Sequence, residues 1–265
     1  VAFALALAVA PAAGASQEPP PESAPAEAAP LEAAPPDAAA RPPLWPRLSL
    51  HVGAALAAGT EAFTGQRRFT EFAEEGRVET DYARALGPGL DVGFDLGMGR
   101  HLGVGVAYTY QSRGVSARYD GRLPHPLYLA RPRQVSGTLD ELGYAESAVH
   151  LALHARQQSG RLRYGLFAGP TWAHAEPEVV ERIQYRHAYP YDAVEVTGVP
   201  RARASGRGFG FNVGGTLEYR AGRRLAAALL VRYYGFTPEL PEAAGTVELD
   251  GGGLLAGAAL RLFLR

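Results

Sequence analysis

The feature that most constrains this chain is a strict two-residue alternation of bulky apolar with small or polar side chains, repeated in eight separate stretches after Pro43. Successive side chains of a strand point to opposite faces, so each stretch reads as a strand with two unlike faces. In the clearest, Leu90, Val92, Phe94, Leu96 and Met98 oppose Asp91, Gly93, Asp95 and Gly97. The others cover 48–57, 102–111, 145–156, 162–173, 209–220, 225–234 and 254–264. Each is close to the roughly 9–11 residues that a tilted strand needs to cross a bilayer.

The connections alternate as well. Tight turns at 99–101, 157–160 and 221–224 alternate with connections of about thirty residues, the last being shorter. In an up-and-down meander this places all tight turns on one rim and all long loops on the other. Structureless loops of that length are uncommon in a soluble domain, whereas bacterial outer-membrane barrels have this asymmetry. No run approaches the roughly 18 apolar residues of a spanning helix. The sequence therefore predicts an all-β fold, an eight-stranded antiparallel up-and-down transmembrane β-barrel. Hydrocarbon cannot satisfy a sheet edge, so the sheet must close.

Orientation follows from the same alternation. The apolar faces meet lipid, and the narrow interior receives the small and charged set. Asp91, Asp95, Glu146, Arg156, Glu218, Arg232 and Arg261 form the predicted lumen polar network, with Arg163 and Arg220 on the same face. An unpaired buried charge is costly, so some of these acids should pair with Arg232 or Arg261. Phe167, Leu230, Tyr234 and Leu255 should largely plug the interior. Aromatic residues fall where interfacial belts belong: Trp45, Tyr164 and Tyr219 near the tight-turn rim, and Tyr108, Tyr110, Trp172, Phe209 and Tyr233 near the other.

These segments, among them GVGVAYTYQ (103–111), YGLFAGPTW (164–172) and FGFNVGGTLEYR (209–220), give the chain its resemblance to the eight-stranded outer-membrane barrel family with OmpA- and OmpX-like transmembrane domains. The resemblance covers roughly 45–265 and rests on architecture. It implies an outer-membrane location with both termini periplasmic. It also implies outer-membrane lipids and lipopolysaccharide as surroundings, and the barrel-assembly machinery as a partner in biogenesis. Members usually finish in Phe, whereas this chain finishes Leu262-Phe263-Leu264-Arg265, a departure from that signal or a one-residue shift of the terminal strand.

Ahead of the barrel (44–265), residues 1–15 begin with VAFALALAVA and read as a truncated signal peptide cut after Ala15. A short buried helix or strand is the alternative. Residues 16–43 are almost only Pro, Ala and Glu and read as a disordered linker. The chain has no Cys, which excludes disulfides, thiolate metal sites and cysteine nucleophiles. Its formal charge of -1 argues against nucleic acid as a partner.

Little catalytic chemistry is legible. His150 and His154 share a strand face but stand about 13 Å apart at strand spacing, too far to hold one ion unaided. Ser147 and His150 have opposite parity and face opposite sides. Gly208, Gly210 and Gly214 lie inside a strand with no helix following, so they are not a nucleotide loop. No catalytic residue, metal or cofactor is predicted. The long loops are the remaining place for function. One carries Tyr185, Arg186, His187, Tyr189 and Tyr191, suited to contact a glycan, a lipid headgroup or a protein. Another carries Arg113, Arg118, Arg122, Arg131 and Arg133, suited to lipopolysaccharide phosphates. The reading is a structural or surface-interaction barrel, serving envelope integrity, adhesion or defence through long extracellular loops that contact an extracellular ligand. The alternatives are a narrow channel for small solutes, a lipid A-modifying barrel enzyme and a soluble lipocalin-like carrier.

Overall fold

The computed structural model describes residues 48–59, 63–240 and 246–264; the expected signal segment, the linker and Trp45 lie outside them. The described residues contain no helix. In chain order the strands are β1 (Leu48–Gly59), β2 (Phe63–Glu71), β3 (Glu74–Tyr82), β4 (Leu86–Gly97), β5 (Leu102–Leu123), β6 (Arg133–Ser159) and β7 (Leu162–Val180). They continue with β8 (Gln184–His187), β9 (Val194–Gly198), β10 (Arg201–Arg203), β11 (Gly206–Arg220), β12 (Leu225–Phe236), β13 (Thr246–Glu248) and β14 (Gly251–Leu264).

Eight of these form a closed antiparallel ring, β1-β4-β5-β6-β7-β11-β12-β14 and back to β1. All eight alternating stretches lie in it, in up-and-down order. The two ends of the chain's barrel meet along the whole of β1, from Leu48↔Leu264 to Gly59↔Gly253, so no edge is left open. Closure is what a sheet in hydrocarbon requires, because every backbone N–H and C=O must find a partner within the protein.

The faces are unlike, as the alternation dictates. Val104 and Leu151 point outward while Gly105 and Ala152 turn inward, and the exposed aromatics Tyr164, Tyr219, Tyr108, Tyr110, Trp172, Phe209 and Tyr233 all stand on the outer face. Inside, side chains fill the ring in successive layers. Nearest the short turns is an ionic layer built around Asp91, Asp95 and Glu218. Next comes an apolar layer of Ala57, Ala152, Phe167, Leu230 and Leu255. Beyond it lie hydrogen-bonded Thr109, His150, Thr171 and Asn212. Last is a larger apolar cluster that includes Tyr82, Leu142, Tyr144, Val179 and Phe236.

The long connections differ from the sequence expectation. They are largely strand, not irregular loop. β5, β6 and β7 run to 22, 27 and 19 residues, well beyond the roughly 9–11 that span a bilayer. Above Gln111, β5 exchanges its partner β4 for β3, which pairs from Tyr82↔Ala117 to Arg77↔Arg122. β2 and β3 form a hairpin, β13 adds to β2, β10 adds to β7, and β8 and β9 form a separate hairpin. The turn expected at 157–160 is tighter too, because 157–159 still belong to β6.

A β-bulge explains why β6 is longer than the alternation suggested. Val115 pairs with Leu142 and Ala117 with Leu139, so Asp140 and Glu141 together oppose Ser116. Glu141 takes φ 58° there. The extra residue exchanges the faces of the strand. Below it, Leu142, Tyr144 and Glu146 point inward; above it, Arg133 and Val135 do.

Candidate functional site

Two groups of residues are candidates, one enclosed and one exposed. The enclosed group is the ionic layer. Asp95 receives Arg261, Arg156 (Nη2, 3.0 Å) and His154 (Nε2, 2.9 Å), with His51 Nδ1 3.5 Å away. Glu218 receives Arg163 and, at 3.2 Å, Arg261 Nε. Asp91 receives Arg232 Nη2 at 3.2 Å and lies 2.7 Å from His51 Nε2. Glu146 stands apart, accepting from the Tyr144 hydroxyl at 2.7 Å and from the Gly252 N–H at 3.2 Å. Six of the seven predicted network residues thus share one cross-linked layer, and Glu146 belongs to the layer above.

His51 and His154 join this layer although neither was among its predicted members. The signal for them was parity opposite a glycine. His51 faces Gly93 on the neighbouring strand, and a Cβ at Gly93 would come within 2.7 Å of His51 Nε2. His154 faces Gly103, and a Cβ at nearby Gly105 would come within 2.6 Å of His154 Nε2. The glycines make room for imidazoles, which then reach the carboxylates.

The other motifs resolve simply. His150 bonds Thr109 Oγ1 at 3.0 Å and Thr171 Oγ1 at 2.8 Å, while Ser147 stands on the opposite face of β6. His174 bonds the Gly206 carbonyl at 3.0 Å and Glu176 at 3.1 Å.

The exposed group is a crown formed where the tips of three hairpins meet. The β2–β3 tip is Phe72-Ala73, the β5–β6 tip is 124–132, and the β8–β9 tip is 188–193. Each is tied to the others. Glu74 accepts from the Ala130 N–H. Asp192 lies 3.7 Å from Arg131 Nη2 and 3.8 Å from His125 Nε2. The rings of Phe72 and His187 stand 5.5 Å apart. Within the β5–β6 tip, buried His125 accepts at Nδ1 from the N–H groups of Leu127 (3.1 Å) and Tyr128 (3.2 Å), which holds the turn in shape.

Arg133 is the hub of this crown. Its guanidinium donates to the Pro124 carbonyl (2.6 Å), the Tyr191 carbonyl (3.3 Å) and His187 Nδ1 (3.0 Å). An accepting Nδ1 puts the His187 proton on Nε2, facing Glu71 Oε1 at 3.7 Å. The other oxygen of Glu71 accepts from the Tyr185 hydroxyl. Burial and the adjacent carboxylate together raise the Tyr185 phenol above its ordinary pKa.

The structure therefore corrects two of the predicted contact residues. Arg133 is only 5% exposed and cannot offer its charge to a lipopolysaccharide phosphate. Arg113 turns inward, donating to Gln111 at 3.1 Å and lying 4.1 Å from the centre of the Tyr144 ring. Tyr185 and His187 are half-buried and bind the crown together, and Tyr191 contributes a backbone carbonyl to it. Arg118, Arg122, Arg131, Arg186 and Tyr189 are exposed.

The crown also presents apolar residues that the sequence expectation did not name. Leu127, Tyr128, Leu129 and Phe72 stand exposed at its tips beside the expected Tyr189, Leu129 at 76% and Tyr189 at 86%. Clustered exposed apolar groups of this kind mark contact surfaces.

No protein-family model matches the chain, and no curated protein matches it in sequence. Among solved structures, it is similar to Neisserial surface protein A at 10% identity and a TM-score of 0.43, covering 82% of this chain and 97% of that one. The outer membrane protein OprG from Pseudomonas aeruginosa is similar at 9% identity and a TM-score of 0.41, over 83% and 98% of the two chains. Ail, the attachment invasion locus protein of Yersinia pestis, is similar at 10% identity and a TM-score of 0.38, over 82% and 99%. In architecture, this chain is similar to outer-membrane β-barrels.

Proposed function

We propose that this chain is an outer-membrane barrel that acts by surface contact, holding an apolar crown away from the membrane for an extracellular partner. The closed ring with its apolar exterior supports a spanning barrel, and short turns at one end with long hairpins at the other support periplasmic termini and an outward crown. One observation carries the reading. Exposed Leu127, Tyr128 and Leu129 sit on a turn that His125 holds in place and that Glu74, Asp192 and Arg133 tie to its neighbours. Apolar groups already fixed in place lose little further entropy on docking. A structural role alone would not require them to be exposed.

The test is to express the full chain in a Gram-negative host beside a variant with Leu127→Ser, Tyr128→Ser and Leu129→Ser. Retention of cells on protein-coated surfaces and survival in serum are then compared. The reading expects normal assembly with loss of one of these phenotypes. If the variant assembles and matches the parent in both, surface contact through the crown is wrong.

A further inference from the structure

Beneath the crown, the extracellular sheet encloses a cleft of about 600 Å³ that the surface-contact reading does not use. That is within the roughly 300–1,000 Å³ of small-molecule sites. Its walls are the inner faces of β2 and β3, the end of β5 and the segment 179–187. Val78, Tyr82, Leu123, Val179 and Ile183 make them largely apolar, and all five are buried. The Tyr82 hydroxyl accepts from the Val180 N–H at 2.9 Å and so joins the two sides.

The charged groups at this cleft are not equivalent. Glu71 is already taken up by the Tyr185 hydroxyl and by His187. Half-exposed Glu181 adjoins exposed Arg182. Arg67 differs from these. It pairs in register with buried Val78, so its side chain shares the inner face of the hairpin, where it is only partly exposed. Among the described residues it makes no hydrogen bond or ion pair. By contrast its neighbours Arg68 and Arg77, on the outer face, have Glu75 and Glu79 at 3.5 and 3.1 Å. An inward guanidinium beside an apolar wall, with no carboxylate bound to it among the described residues, is complementary to a ligand that brings one.

We propose that this cleft binds an amphipathic monoanion, an apolar body bearing a single carboxylate, with Arg67 as its charge partner and the Val78–Leu123–Ile183 wall as its apolar seat. The site is separate from the crown tips, so it stands or falls independently of the surface-contact reading.

The probe is 11-(dansylamino)undecanoic acid, with fluorescence followed on the full chain in lipid nanodiscs. Its methyl ester and the corresponding primary amine serve as controls, and empty nanodiscs correct for partitioning. Saturable binding of the acid is expected, weakened about tenfold or more by Arg67→Gln and largely restored by Arg67→Lys. Heat-modifiable electrophoretic migration verifies that each variant is a closed barrel. The Leu127→Ser, Tyr128→Ser, Leu129→Ser variant should bind the acid like the parent. Equal affinity for acid and ester, preference for the amine, indifference to Arg67→Gln, loss of binding in the crown variant, or no saturable binding would each overturn the proposal.

Discussion

Arg261 on the last strand of the ring donates to Asp95 on β4, reaching past the intervening β1 to a residue 166 positions earlier in the chain. The same guanidinium meets Glu218 on β11. One side chain thus links two carboxylate-bearing strands, β4 and β11, to β14 at the seam where the chain's first and last ring strands meet.

Removing one member of such a buried set leaves the others uncompensated, which typically costs about 3–5 kcal/mol. Asp95→Ala should therefore lower the unfolding midpoint in urea far more than Gln158→Ala, whose partly exposed side chain bonds only the Gly160 carbonyl. Asp95 serves Arg261, Arg156 and His154 together, so its loss should also exceed that of Arg156→Ala.

Gly93→Ala should destabilise the barrel although it adds one methyl group. The new carbon would press on His51, which bonds Asp91, and overpacking of this kind costs about 1–3 kcal/mol. Combining it with His51→Ala should recover part of that loss, as a double-mutant cycle in urea would reveal.

The parent barrel should show no stable unitary conductance in planar bilayers. Phe167, Leu230 and Leu255 cross the interior above the cross-linked ionic layer. Replacing Phe167 and Leu255 together by Ala should produce brief openings. Sizeable, long-lived steps in the parent would contradict the filled interior.

His125→Ala should loosen the crown and spare the barrel. The N–H groups of Leu127 and Tyr128 lose their acceptor, so amide exchange should accelerate at the β5–β6 tip while β5 below Gln111 remains protected. Arg118→Ala, by contrast, breaks only an exposed pair with Asp120 at 3.5 Å and should change stability by less than about 1 kcal/mol.

The crown should also respond to alkali in a defined sense. Burial and Glu71 raise the Tyr185 phenol in the folded chain, so its tie contributes fully below the unfolded phenol pKa of about 10. That contribution disappears as pH rises through the higher folded value. Ultraviolet titration should show Tyr185 ionising above the ordinary phenol value of about 10, and Glu71→Gln should bring it closer to that value.

How much of this was readable beforehand depends on where parity holds. From Leu102 upward, β5 keeps its odd residues inward all the way to Leu123. Extending the rule two residues past Gln111 would have placed Arg113 inside. β6 offers no such continuity, because Asp140 and Glu141 break the alternation and reverse its faces. Parity carried up β6 from its alternating stretch therefore turns Arg133 outward, whereas it is the buried hub of the crown. His125 carries no local pattern at all, since its partners are backbone N–H groups of its own turn and a carboxylate from another hairpin.

The sequence by itself determined the eight ring strands, their order and the side on which the charges of the alternating stretches lie, because a period of two is a local property of an extended backbone. Only the tertiary structure decided which arginine meets which carboxylate, how the hairpins lean together and where Arg67 is left facing a cleft. Those outcomes depend on register between strands distant in the chain and on one inserted residue, and neither leaves a periodic trace.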